Sequence, residues 1–106
     1  MLRDLKGQKV FLTGASRGIG KAIAIKLAKE GASLCLTDIC DTKESTEALE
    51  NVVSDCKEYG VHVTSVAADA LDIESFKSAL DTAVKELGGI SILVSNGTLF
   101  SFSKNK

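Results

Sequence analysis

An α/β fold built on parallel strands is what this sequence predicts, and three observations carry the prediction. Short apolar runs alternate along the chain with segments of helical periodicity. Glycine or aspartate punctuates most of the junctions. A glycine-rich turn joins the first apolar run to the first helical segment. Alternation of this kind joins parallel strands through right-handed helical crossovers. Strands covered on both faces then read as apolar runs without clean alternation.

The elements follow in order. Residues 9–13, bounded by Gly7 and Gly14, read as a buried strand. A helix is expected over 18–30, with Ile19, Ala22, Ile23 and Leu27 as its apolar stripe and Gly31 as its stop. Residues 33–37 form the next strand, which ends at Asp38. Asp41 or Thr42 can cap a second helix that runs to about Tyr59 and carries Leu49, Val52, Val53 and Cys56 on its apolar side. Gly60 ends it, and the valine-rich segment 61–67 is a third strand. Asp72 caps a third helix with the stripe Ile73, Phe76, Leu80, Ala83, Val84 and Leu87. Gly88 and Gly89 close that helix, and 90–95 is a fourth strand. Residues 1–97 therefore read as one unit, and the polar tail 98–106 is expected to be disordered or loosely docked.

Composition excludes several classes of function. With 13 basic and 14 acidic residues, the net charge of −1 gives no electrostatic case for nucleic acid or an anionic membrane. No apolar run approaches the roughly 20 residues of a membrane span, and the amino terminus lacks the apolar block of a signal peptide. Cys35, Cys40 and Cys56 are odd in number and contain no Cys-x-x-Cys pair, which argues against a disulfide framework or a zinc site. His62 is the one histidine and has no cysteine or carboxylate at metal spacing, so no metal site is expected. The cytoplasm or another reducing intracellular compartment is the expected setting.

The segment with chemical content is Thr13-Gly14-Ala15-Ser16-Arg17-Gly18-Ile19-Gly20. Its glycine spacing, G-x-x-x-G-x-G, is a variant of the dinucleotide fingerprint, set between a strand and a helix. Gly14 permits the tight turn, Gly18 lets backbone approach a pyrophosphate, and Gly20 allows close packing of helix on sheet. The free N–H groups and partial positive charge of the helix amino end then face the anion. Asp38 follows Gly20 by 18 positions, close to the spacing of about 20 expected for an acidic residue on the adenine ribose. The implied architecture is the first half of a three-layer Rossmann-type parallel sheet, about four strands in the order 3-2-1-4.

The same segment resembles the cofactor motif of the short-chain dehydrogenases/reductases. Asp69-Ala70-Leu71-Asp72 and Ile92-Leu93-Val94 before Ser95-Asn96 continue the match, which covers residues 7 to about 97. The resemblance implies that Gly14, Ser16, Arg17, Gly18, Ile19 and Gly20 surround the adenosine-pyrophosphate half of a nicotinamide dinucleotide. It implies that Asp38 holds the adenine ribose with Ile39 near the adenine. Asp69 would accept from the adenine amino group with Ala70 beside it, and Asn96 and Gly97 would lie along the cofactor.

Two of these positions pull in opposite directions on cofactor choice. Arg17 stands where many NADP-using members carry a basic residue, whereas an acid at Asp38 favours NAD. A 2′-phosphate about 4 Å from Asp38 would face roughly 4 kcal/mol of repulsion at an effective dielectric of about 20. No basic residue directly follows Asp38. NAD is therefore the expected cofactor, with NADP as the alternative.

The chain also departs from the family pattern. Ser95-Asn96-Gly97-Thr98 stands where the family has Asn-Asn-Ala-Gly, and the Cβ and hydroxyl of Thr98 would crowd a close approach to the cofactor. Family chemistry needs a tyrosine with a lysine four residues later, the lysine lowering the tyrosine pKa for acid-base work on a carbonyl or alcohol. The one tyrosine here is Tyr59, and position 63 is valine. No catalytic residue is assigned. The expected function is that of the amino-terminal NAD(P)-binding portion of such an oxidoreductase, inactive by itself. The competing expectation is a non-catalytic nucleotide-binding or interaction module. In either case the outer edge of the fourth strand would lack a neighbour, so self-association or pairing with a full-length relative is expected there.

Overall fold

The apolar run Lys-Val-Phe-Leu-Thr forms the central strand β1 (Lys9–Thr13), which is buried along nearly its whole length. The computed structural model describes residues 4–69 and 71–96. Expectations that fall on Ala70, Gly97, Thr98 and the rest of the 98–106 tail lie outside the described residues. After β1 come α1 (Gly18–Lys29), β2 (Ser33–Asp38), α2 (Lys43–Lys57), β3 (Val63–Ala67), α3 (Ile73–Leu87) and β4 (Ile92–Ser95). All strand pairings are parallel, and the sheet order is β3-β2-β1-β4. This is the expected Rossmann-like half-sheet.

Two cores lie on the two faces of the sheet. Val10, Leu12, Leu34 and Leu36 join α1 and α2 through Ala24, Ala28, Leu49, Val52 and Cys56. Phe11 and Cys35, on the opposite face, join α3 through Ala79, Ala83 and Leu87. The alternation of side chains along β1 and β2 divides each strand between the two cores. Phe11 also meets Phe76 edge to face, with centroids 5.7 Å apart.

The expected helix stripes hold in part: Ile23 and Leu27 pack against the first core, and Phe76, Leu80, Ala83 and Leu87 belong to or pack against the second; the remaining positions differ for a physical reason on each helix. On α1 the face against the sheet is Gly20, Ala24 and Ala28, while Ile19 is 73% exposed and Ala22 is exposed. A Cβ on Gly20 would lie 1.8 Å from the Gly14 carbonyl oxygen. The helix therefore sits too close to the turn for large side chains on its inner face. On α3 the buried set is Ala79, Ala83 and Leu87, and Ile73 and Val84 are 69% and 47% exposed. Those two side chains flank the sheet-facing line rather than lying on it.

The outer strands also correct the expectation of cover on both faces. β1 and β2 are buried throughout their middles, whereas β3 and β4 alternate between more and less exposed residues. β3 begins at Val63, not at residue 61, because pairing with β2 starts at Leu34 opposite Val63. β4 begins at Ile92, not at residue 90. Ahead of it, Gly88 and Gly89 hold φ of +82° and +143°, and the Ser91 hydroxyl accepts from the Lys9 N–H at 2.8 Å.

The helix ends are capped as their sequences suggest. Thr42 caps α2 in a reciprocal box with Ser45, and the Asp72 carboxylate accepts from the N–H groups of Glu74 and Ser75 at the start of α3. α1 differs: Arg17 occupies its cap position and provides no side-chain cap.

Two predictions follow from the packing. Gly20→Ala is expected to cost about 3 kcal/mol, the upper end of overpacking penalties, because the clash is with backbone. Gly7→Ala, at φ +88° with no atom within 4 Å of the new Cβ, is expected to cost only about 1 kcal/mol; denaturant melts of the two variants check the difference. Burial pushes the Cys35 and Cys56 thiols up from 9.0 to about 11, with Glu86 and Asp55 adding smaller contributions respectively. Between those values the unfolded chain holds fewer protons than the folded one. Stability should therefore fall as pH rises from about 9 to about 11, and a Cys35→Ala/Cys56→Ala chain should show a flatter profile over that window.

Candidate functional site

The carboxyl ends of the four strands and the turn after β1 converge on one edge of the sheet, where open α/β sheets take their ligands. The turn is bound to β2 by the Ala15 N–H, which donates to the Thr37 carbonyl at 3.0 Å. Gly14 and Gly18 adopt φ of +64° and +59°, values that glycine reaches without strain. A Cβ at Gly18 would meet nothing within 4 Å. The backbone there borders open space, while at Gly20 it borders protein. Gly14 and Gly18 thus share a backbone reason to be glycine, to which Gly18 adds open space, and Gly20 has a packing reason.

Asp38, the last residue of β2, is held from both sides. Its Oδ2 accepts from the Ser16 N–H at 3.0 Å and from the Ser16 hydroxyl at 2.5 Å. Its Oδ1 accepts from the Ile39 N–H at 2.8 Å. Three donors fix the rotamer of a partly exposed carboxylate at the mouth of the glycine turn; Oδ2 is saturated by Ser16, and Oδ1 retains one further lone pair. Ser16 was expected only as one of the residues around the adenosine, so its grip on Asp38 adds a role. The small polar side chain two residues after Gly14 was the available signal.

Asn96, at the end of β4, turns its amide inward. Its Nδ2 donates to the Gly14 carbonyl at 3.2 Å, and its backbone N–H donates to the Thr13 hydroxyl at 3.0 Å. The side chain that resemblance set along the cofactor therefore also props the glycine turn from beneath. Asp69 lies past the end of β3. Its Oδ1 accepts from the Leu71 N–H and its own N–H donates to the Ser75 hydroxyl. The Ala68 N–H donates to the Asp38 carbonyl at 3.0 Å, which ties this loop to β2. Ile39 is exposed beside Asp38.

The structure thus brings Gly14, Ser16, Arg17, Gly18, Ile19, Gly20, Asp38, Ile39, Asp69 and Asn96 to one rim. Electrostatically the rim is mixed. The amino end of α1 carries no capping side chain and no acid in its first turn, so it offers partial positive charge to an anion. Asp38 puts a carboxylate to one side of it.

A short-chain dehydrogenase family model matches residues 8–106. This chain belongs to the short-chain dehydrogenase family. Among its relatives, bovine (Bos taurus) hydroxysteroid dehydrogenase-like protein 2 is 39% identical over 103 residues, which cover 93% of this chain and 24% of that protein. L-rhamnose 1-dehydrogenase (NADP(+)) of Thermoplasma acidophilum is 38% identical over 100 residues, 93% of this chain and 37% of that enzyme. The crystal structure of carveol dehydrogenase from Mycobacterium avium in complex with NAD superposes with a TM-score of 0.82 at 33% identity, covering 89% of this chain and 36% of that one. The chain thus spans between about a quarter and two-fifths of the lengths of these family members.

The remaining reactive side chains sit elsewhere or are protected. Cys35 and Cys56 are buried. Cys40, near Asp38, is half-buried, and burial raises its thiol above the ordinary value. Tyr59 lies past the end of α2 and His62 just ahead of β3. Among the described residues no group of histidine, cysteine and acidic side chains could hold a metal ion, and no helix is long and apolar enough to cross a membrane.

Proposed function

We propose that this chain is the amino-terminal, nicotinamide-dinucleotide-binding portion of a short-chain dehydrogenase/reductase. In the complete enzyme, hydride would pass between the cofactor and a carbonyl or alcohol. The observation that carries the reading is the Asp38 carboxylate, fixed by Ser16 beside an uncapped helix amino end. A carboxylate held this way keeps a lone pair on Oδ1 for a ribose hydroxyl, and the helix end would receive the pyrophosphate. The backbone beside Gly18 leaves room for that approach.

NAD is the cofactor this reading favours over NADP, because a 2′-phosphate would meet the carboxylate of Asp38. Around the nucleotide, Gly14, Arg17, Gly18, Ile19 and Gly20 would line the pyrophosphate side, and Ile39, Asp69 and Ala70 the adenine. Asn96 and Gly97 would lie further along the cofactor. The chain supplies the adenine end of the site and no family acid-base pair, since Tyr59 is followed four residues later by Val63. By itself it would bind nucleotide and transfer no hydride. Its three free thiols fit a reducing compartment such as the cytoplasm.

A second reading has its own observation. Among the described residues β4 pairs only with β1, and its Leu93 is 53% exposed. An open apolar edge of this kind favours pairing with a second copy or with a full-length relative, and the chain would then act as a binding module. Sedimentation over a range of concentrations checks this, a monomer at every concentration counting against it.

Titration of NAD should shift the amide resonances of Gly18, Ile39 and Asp69. Asp38→Ala should weaken NAD by at least about tenfold, the loss expected for hydrogen bonds to a charged group. Absence of any shift at millimolar NAD, or hydride transfer to a carbonyl substrate by the chain alone, would overturn the corresponding part of the proposal.

A further inference from the structure

Beside the Asp38 clamp lies a recess of about 450 Å³ lined by Arg17, Asp41, Thr42, Glu44, Ser45 and Ala48. One wall is the cap of α1, and the other is the cap and early turns of α2. Arg17 directly follows Ser16, whose N–H and hydroxyl grip Asp38. Asp41 comes three residues after Asp38. The recess therefore adjoins the carboxylate that the nucleotide reading assigns to the ribose.

Its charges decide what can enter. Arg17 brings one positive charge, and Asp41 and Glu44 bring two negative ones, so the lining is net negative before Asp38 is added. Among the described residues the one ion pair is that of Lys26 with Glu30, so neither acid is locked onto Arg17. The amino end of α2 would by itself favour an anion. That end is already served: Thr42 accepts from the Ser45 N–H, and Glu44 occupies the first turn.

We infer that Asp41 and Glu44 are specificity residues that turn a 2′-phosphate away from this recess, cancelling the attraction of Arg17 and leaving the chain selective for NAD. The inference rests on the nucleotide reading above. A ribose with a free 2′-hydroxyl places no charge here, whereas a 2′-phosphate would bring up to two negative charges to a recess that already holds two carboxylates against one guanidinium. An arginine in this position does not by itself make an NADP site, because its field is outweighed by two acids, one just ahead of the α2 cap and one in the first turn of α2.

The test compares the 106-residue chain with Asp41→Asn/Glu44→Gln and with the same pair plus Arg17→Gln, by calorimetric titration of NAD and of NADP at low salt. The paired neutralisation should change NAD affinity by less than about twofold and tighten NADP by about tenfold or more. Adding Arg17→Gln, which takes the recess from one net positive charge back to none, should remove about half of the gain in free energy. The single variants Asp41→Asn and Glu44→Gln should each give part of it, which keeps the comparison usable if the pair folds poorly. In the unaltered chain, salt that shortens the screening length from about 20 Å to about 4 Å should raise NADP affinity relative to NAD. NAD binding with NADP affinity unmoved by the substitutions, or a relative NADP affinity that falls with salt, would overturn the inference and leave the nucleotide reading standing. Failure of both nucleotides to bind any variant would overturn both.

Discussion

The structure depends first on one contact, that of Gly20 with the carbonyl of Gly14. A Cβ at position 20 would stand 1.8 Å from that oxygen and 2.9 Å from Asn96 Nδ2. Without it, α1 starts directly on the turn after β1, and its amino end points over the strand ends. The same closeness dictates the small face Gly20, Ala24 and Ala28 and displaces the bulky side chains of α1 to its flanks. The turn in turn anchors to β2 through Ala15 and to β4 through Asn96. One missing methyl group thus sets the distance from helix to sheet, the face on which the helix packs and the position of its partial positive charge.

The second layer of order is polar and built on Asp38. A carboxylate at the end of a central strand would ordinarily choose among several rotamers, with entropy opposing any one of them. Here Ser16 supplies two donors from the turn and Ile39 a third from the following residue. The donors belong to the same turn that Gly20 permits, so packing and polar order reinforce each other. A rim organised before any ligand arrives loses less entropy on binding than one that must order itself.

Most of the fold was legible because the signals that carried it are local. Apolar runs, glycines at the stops of α1 and α3, and Asp72 before α3 act over a few residues, and tertiary context did not override them. The stripes of α1 and α3 were less legible because helical spacing gives the period of a face but not its phase when small and large apolar residues compete. Glycine and alanine hold the closest line of α1, and Ala79 and Ala83 share that of α3 with Leu87, since close approach to the sheet rewards low volume. Ile19, Ile73 and Val84 fit the period equally well and lie outside the contact. At the site, the glycines and Asp38 could be read from spacing. The double grip of Ser16 and the inward turn of the Asn96 amide could not, because each joins residues far apart in sequence, by 22 and 82 positions.

The same distinction bears on how a basic residue in a glycine turn should be interpreted. Arg17 considered alone argues for a phosphate on the ribose. Its field is a sum over neighbours, and the neighbours that share its recess come from the start of α2, more than 20 positions away. Asp41 and Glu44 belong to a helix start, where acids are common because they complement the dipole. Their sequence context therefore explains them fully without reference to a ligand. Only the fold, by setting the cap of α2 opposite the cap of α1, gives the same two carboxylates a second consequence. A residue with a sufficient local reason can still shape a site, and the recess between two helix caps is where that happens in this chain.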